Sequence, residues 1–511
     1  MEVELKLLVA PTDVPLLRRF VLPPGWQRGK AKTARLLSIY FDSPDFFLKQ
    51  RAIALRVRRV GQRWIQTLKS GGDVKAGLHS RLELEAPVAH DHPDFTKIED
   101  AALQELLLSP ELDGKLQPAF TTEFQRTIWL LESAAGDVVE MALDRGEIRG
   151  TAGTQAISEV ELELKTGNPA VLFEIALALL DAAPLHLENA SKAQRGYDLC
   201  TPPAPPQPVK AKSVDLRNGF SAGQAFQTIA WNCIGHLQNN HAGLLSGNDI
   251  EYVHQMRVAL RRLRSATGLF ARIAPTLRES PLLDEMRWIA GELGEARDWD
   301  VFVSETLPPI LVASLDSAPL HRLRDQALVI DAAANDKARV AAASQRYQRF
   351  LLNLGVWLNH ETWRDGLTKK QRAALDRPVR EWAPKLLAKR HTQLLARGAN
   401  LAALTSLERH ALRIAGKKLR YAAEFLSHLF PGPATQPYLK ALSVLQDSLG
   451  VLNDHVVTGS LLDQLRGTAK NGALRECAIG EIMGWNACQA SIHLAQLGQV
   501  WEGFKSQKPF W

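Results

Sequence analysis

Charged and apolar side chains alternate in five separate segments of the first 165 residues, and that repetition limits the folds open to this chain. In Glu2-Val3-Glu4-Leu5-Lys6 the spacing of two puts both acids and the base on one face of a strand, with Val3 and Leu5 on the other. Arg56-Val57-Arg58, Thr67-Leu68-Lys69, Arg81-Leu82-Glu83-Leu84-Glu85 and Glu159-Val160-Glu161-Leu162-Glu163-Leu164-Lys165 repeat the device, and Asp144 ends the strand before the last of them. A half-solvated sheet face explains one such segment. Five of them, stacking both signs of charge, call for a closed barrel with a polar lumen and an apolar outer face under helices.

The stretch Thr201-Pro202-Pro203-Ala204-Pro205-Pro206-Gln207-Pro208 favours extended polyproline II and divides the chain. Before it, strands are predicted at about 2–9, 34–42, 53–60, 64–70, 80–88, 120–132, 138–144 and 157–165, with helices near 99–108 and 169–182. After it the composition is rich in Ala, Leu and Arg with helical periodicity. The expected fold class is α+β followed by all-α: an antiparallel β-barrel with flanking helices over 1–200, a linker over 201–214, and a duplicated helical bundle over 215–505. No apolar run is long enough to span a bilayer, and the N-terminus has acids where a signal peptide needs bases, so a cytoplasmic protein is expected. The four cysteines form no CxxC pair, which argues against a disulfide framework or a zinc site.

A lumen of fixed acids and bases suits a polyanion with a metal. Mg²⁺ or Mn²⁺ takes oxygen ligands and shares its shell with phosphate oxygens. Arginine forks hold phosphate, and lysine adds a point charge. In such a bore, hydrolysis of a terminal phosphate needs positioning, charge neutralisation and a water near a carboxylate.

Taken in order, the opening Glu-x-Glu-x-Lys, the Arg-x-Arg, the lysine and the two Glu-x-Glu segments resemble the CYTH superfamily of triphosphate tunnel metalloenzymes. Arg35, Tyr40-Phe41-Asp42 and Ser191-Lys192 extend the likeness over about 1–200. The resemblance implies metal-side acids at Glu2, Glu4, Asp144, Glu161 and Glu163, and triphosphate-holding bases at Lys6, Arg35, Arg56, Arg58, Lys69, Arg81 and Lys192. Glu83 and Glu85 share the lumen, and Glu2, Glu4, Lys6, Lys69, Glu83 and Glu85 are the expected catalytic set. Arg126 and Arg195 are weaker candidates, because alternation does not fix which way either points.

The helical half repeats at an offset of 156 residues. His254, Arg257, Arg261 and Arg264 form one helix stripe, and His410, Arg413, Lys417 and Arg420 form a second. Leu293-Gly294, Asp298 and Val301 recur as Leu449-Gly450, Asp454 and Val457, while Arg297 becomes Asn453. Basic residues outnumber acidic ones 38 to 27 after residue 200, against 24 to 28 before it, so a polyanionic partner belongs to the second half. These motifs resemble the CHAD domain over about 215–505, which implies binding of polyphosphate by both stripes and association with polyphosphate granules.

The combined expectation is a Mg²⁺- or Mn²⁺-dependent inorganic triphosphatase with a polyphosphate-binding helical domain. The alternatives are an organic triphosphate enzyme (thiamine triphosphatase or class IV adenylyl cyclase) and a non-catalytic polyphosphate-binding protein. A nucleic-acid partner is disfavoured, because no stacking aromatics line up with the basic stripes.

Overall fold

The computed structural model describes residues 2–201, 206–217, 219–247, 249–314, 317–466 and 472–511. Residues 202–205 of the proline-rich stretch lie outside the described residues, as does the side chain of Asn453. The chain divides into two units, Met1–Gln207 with Ser344–Thr362, and Pro208–Ala343 with Trp363–Trp511.

The first unit contains β1 (Glu2–Val9), β2 (Trp26–Arg28), β3 (Lys32–Asp42), β4 (Ile53–Val60), β5 (Arg63–Lys75), β6 (Leu78–Val88), β7 (Gln117–Ser133), β8 (Val138–Gly150), β9 (Gly153–Thr166) and β10 (Leu185–Leu187). Strands run in the order β1-β6-β5-β4-β3-β7-β8-β9, and β9 pairs back onto β1, so eight antiparallel strands close a barrel. The short β2 and β10 add to β7 and β1 outside that circuit. Closure leaves the barrel strands no open edge and separates two faces by residue parity.

The outward face is apolar. Leu55, Val57 and Leu68 are buried under α2 (Phe47–Gln50) and α3 (Ala101–Leu107), which follow the short α1 (Val14–Leu17). Leu5, Leu7 and Leu162 are buried beside α4 (Ala170–Ala182), whose Leu172, Phe173, Ile175 and Leu179 are fully covered. Helix α5 (Lys192–Cys200) is capped by Ser191, which accepts from the Gln194 N–H.

The predicted strand 64–70 continues instead to Lys75, through a register shift between Ser70 and Asp73. Gly71 and Gly72 make the shift possible, with φ of 62° and 115°. A Cβ on Gly72 would sit 2.7 Å from the Ser80 carbonyl oxygen, so only glycine fits where β5 bends past β6.

The helical half contains α6 (Ala222–Ser246), α7 (Glu251–Phe270), α8 (Leu282–Val301), α9 (Leu307–Ala313), α10 (Ala318–Ala343), α11 (Gln345–Asn359), α12 (Lys369–Asp376), α13 (Val379–Arg397), α14 (Ser406–Leu426), α15 (Thr435–Arg466) and α16 (Gly472–Lys505). Shifted by 156 residues, α6, α7, α8 and α10 fall on α13, α14, α15 and α16, so the sequence repeat is a repeat of four helices. The two basic helices α7 and α14 pack together, and Arg261 Nε donates to the Tyr421 hydroxyl at 2.6 Å. Helix α11 lies within this half in sequence but packs in the first unit. Among the described residues no helix is long and apolar enough to cross a membrane.

Candidate functional site: a charged bore and a basic helical cavity

Strand parity carries the alternating charges into the barrel. A cavity of about 400 Å³ is lined by Glu2, Glu4 and Lys6 from β1, Arg56 and Arg58 from β4, and Lys69 from β5. Arg81, Glu83 and Glu85 from β6, Glu161 and Glu163 from β9, and Lys192 from the start of α5 complete the predicted part of the wall.

One part of the bore is neutralised by the protein itself. Asp144, Glu159 and Glu161 lie together, and all three are buried. Arg126 grips Asp144 with two hydrogen bonds of 2.8 and 2.7 Å and also pairs with Glu161. Lys192 pairs with Asp144 at 2.6 Å, with Glu161 at 3.0 Å and with Glu159, while Arg195 pairs with Glu159. Lys6 joins Glu161 to Glu4, the latter at 3.0 Å. Burial pushes the Asp144 and Glu161 carboxyls up, but Lys192 and its neighbours outweigh it and hold both below the usual range. The oxygens of these three carboxylates lie close enough together to hold a metal ion, and four cations surround them.

Elsewhere along the bore the balance is looser. Lys69 donates to both oxygens of Glu2, at 2.9 and 2.7 Å, and pairs with Glu83 at 3.0 Å. Arg81 reaches Glu2 at 3.2 Å and also pairs with Glu4. Burial raises Glu2, but Lys69 and Arg81 overcome it and hold the carboxyl at about 2. Glu83 is pushed up by burial and by Glu2 beside it, and Glu163 by burial and by Glu2 and Glu140. Lys69 is pushed down by burial and by Arg56 and Arg81.

Arg58 is the exception among these cations. Its Nε donates to Ser38 Oγ at 3.0 Å, and among the described residues no carboxylate lies within ion-pair distance. Burial, with Arg56 and Arg126 nearby, pushes it down to about 9. A half-buried guanidinium crowded by two others can take an anion.

A second group of acids is spread along one wall. Cross-strand registers place Glu4 opposite Glu163, and Glu163 opposite Glu140, while Glu2 precedes Glu4 by two on β1. Lys165 pairs with Glu163 at 2.6 Å. All-oxygen donors whose mutual repulsion raises a carboxyl suit a hard divalent cation.

One sequence expectation is corrected here. Arg35 lies on the outer face of β3, its side chain 79% exposed and paired with Glu123, because its position has the opposite parity to the cavity-lining Ala34, Leu36 and Tyr40. Asp144 is fully buried under Arg126 and Lys192 rather than forming cavity wall. Glu161 faces the cavity, but Lys6, Arg126 and Lys192 hold it. Arg126 proves to point inward, whereas Arg195 is buried behind Glu159. Glu140 was missed, although it stands four residues before Asp144 on the same strand face.

In the helical unit a cavity of about 930 Å³ gathers His254, Arg261, Arg413, Lys417 and Arg420, with Lys210, Lys212 and Arg262. Burial and the neighbouring Arg261 and Arg413 push the Lys417 ammonium down to about 7. Arg264 instead lines a second cavity of about 590 Å³, shared with Arg272, Arg278, Arg390 and Lys418. Two stripe members point elsewhere. Arg257 packs over Gly294, 3.8 Å from Asp298, and His410 is exposed beside an apolar groove with Leu407, Val456 and Met483. A stripe of this width wraps around the helix, so its edges meet different neighbours.

The CYTH domain family matches residues 1–197, and the CHAD domain family matches residues 228–463. An inorganic triphosphatase of Haemophilus influenzae is 36% identical over 201 residues, covering 38% of this chain and 54% of the relative. An uncharacterised protein of Mycobacterium tuberculosis is 28% identical over 351 residues, 63% of each chain. The chain thus spans about half to two thirds of the length of these curated relatives. A crystal structure of the CHAD domain from Ricinus communis is 33% identical with a TM-score of 0.51, covering 59% of this chain and 98% of that one.

Proposed function

For a chain that joins a CYTH domain to a CHAD domain, we propose hydrolysis of inorganic triphosphate in the barrel and binding of polyphosphate by the helical unit. The observation that carries the first part is Arg58, a half-buried guanidinium with no acid within ion-pair distance among the described residues, in a bore otherwise laced with ion pairs. A linear phosphate chain supplies the missing charge, and its terminal oxygens suit the forks of Arg56, Arg58 and Arg81 with Lys69 beside them. The triphosphatase named among the relatives supports the same choice.

Glu2, Glu4, Glu140 and Glu163 would hold Mg²⁺ or Mn²⁺, which when bound neutralises phosphate charge and orients the chain. The residues do the rest. Arginines and Lys69 fix the terminal phosphorus and screen the charge developing on the leaving oxygen. Glu83, held above the usual carboxylate range, accepts a proton from the attacking water. Water oxygen bonds to the terminal phosphorus, the bridging P–O bond breaks, and pyrophosphate and phosphate leave.

For the helical unit, Arg261, Arg413, Lys417 and Arg420 crowd one cavity, and polyphosphate relieves their repulsion. A cytoplasmic, granule-associated protein accords with that ligand.

A substrate panel is the test. Purified protein with Mg²⁺ is expected to release phosphate from triphosphate faster than from ATP, thiamine triphosphate or pyrophosphate, and to stop with EDTA. Preference for thiamine triphosphate or ATP would replace the inorganic substrate, and no turnover of any of them would leave a binding protein.

A further inference from the structure

The first 207 residues do not complete the first unit; α11 does, although it comes from deep within the helical half. Gly355 of α11 meets Phe173 of α4 so closely that a Cβ there would lie 2.2 Å from the ring. Arg349 pairs with Asp181 at 2.6 Å, and His360 with Glu174 at 2.9 Å. The contact that reaches the bore is polar. Gln345 Oε1 accepts from the Leu185 N–H at 3.0 Å, and buried Gln348 Oε1 accepts from the Leu187 N–H at 3.0 Å.

Leu187 and Glu188 present their amides to different partners. While Gln348 takes the first, Glu188 donates to the carbonyl of Lys6 at 3.0 Å. The chain then passes Asn189, which accepts from the Gly77 N–H at 3.0 Å, and Ser191, which caps α5 just before Lys192. Lys6 and Lys192 both hold Glu161. Strand β10 has only three residues, too few to fix this backbone unaided.

We propose that Gln348 is a positioning residue for the bore: it anchors Leu187, and through the Leu185–Lys192 backbone it sets where Lys6 and Lys192 stand. The inference rests on the reading of the bore as catalytic. It adds that the tunnel needs a helix lent by the other half of the chain.

The test compares Gln348→Met, which keeps the side-chain length but loses the carbonyl acceptor, with Gln348→Glu, which keeps an acceptor oxygen. Hydrogen exchange of the peptide 185–192 in the full chain is expected to speed about tenfold in the Met variant and stay near wild type in the Glu variant. The kcat for triphosphate falls about tenfold in the first and recovers in the second, with polyphosphate binding unchanged in both. Wild-type exchange in Gln348→Met, or equal losses in the two variants, overturns the proposal. Should Gln348→Met fail to fold, Gln345→Leu at the half-buried neighbouring contact is expected to speed exchange about threefold, and unchanged exchange there overturns it as well. A wild-type protein that turns over no triphosphate sinks the substrate reading instead, and the exchange comparison still decides the role of Gln348.

Discussion

Lys69 and Lys417 are both cations weakened by their surroundings, and each invites an anion. Burial with Arg56 and Arg81 pushes Lys69 down, although Glu2 and Glu83 lie within hydrogen-bond reach. A bound triphosphate favours its charged form, so Lys69→Ala is expected to lower kcat/KM about a hundredfold, the worth of roughly 2–3 kcal/mol from one charge-assisted contact. Steady-state kinetics on the folded variant checks this. Lys417 sits at about 7, pushed down by burial and by Arg261 and Arg413. Its charged form prevails below that pH and is lost above it. Polyphosphate affinity is therefore expected to fall as the pH rises from about 6 to about 8.5, more steeply in wild type than in Lys417→Arg, whose guanidinium stays charged. Parallel pH profiles in the two proteins would remove Lys417 from the binding site.

At the level of strands and helices, the proposed metal wall is where one register links three elements. Glu4, Glu163 and Glu140 stand across β1, β9 and β8. Glu140→Gln is expected to raise the Mg²⁺ concentration for half-maximal activity about tenfold while leaving the fold intact, read by metal titration of the rate. Most of this geometry was legible beforehand, because strand parity is strict: Glu2, Glu4 and Lys6, or Arg81, Glu83 and Glu85, could not face a core of Leu and Val. Arg35 has the parity of the outer face, which its place in a motif does not reveal. Glu140 stands on the same strand face as Asp144 but has no charged neighbour at a spacing of two to mark it. The cover of Asp144 was not legible, since it comes from Arg126 on β7 and Lys192 on α5, far apart in sequence. On the helices a 3.6-residue period marks a stripe but not its exact facing, so His410 and Arg257 left the basic cavity while Lys210 and Arg262 entered it. That α11 would belong with the barrel had no sequence signal, since amphipathic spacing marks an apolar face but not which unit covers it.

For the molecule as a whole, the two proposed anion sites lie in separate units and ought to fail separately. Arg261→Ala with Lys417→Ala is expected to weaken polyphosphate binding and flatten its salt dependence, with triphosphate turnover unchanged; Glu4→Gln should do the reverse. Equal losses in both assays would defeat the division of labour. The borrowed helix qualifies that independence. A chain cut after Gln207 lacks α11, uncovering Phe173 and its neighbours, and is expected to melt well below the intact barrel or to aggregate. Calorimetry on the two forms reads the difference.

In the proposed function, charges inside the barrel, and not those outside it, engage a phosphate chain. Phosphate release from triphosphate by Arg58→Ala beside Arg35→Ala separates the two, since one guanidinium lines the cavity with no acid within ion-pair distance among the described residues and the other faces solvent. The expected result is a loss of about a hundredfold for Arg58→Ala and a rate within about twofold of wild type for Arg35→Ala. Wild-type turnover by Arg58→Ala, or the larger loss in Arg35→Ala, would contradict it.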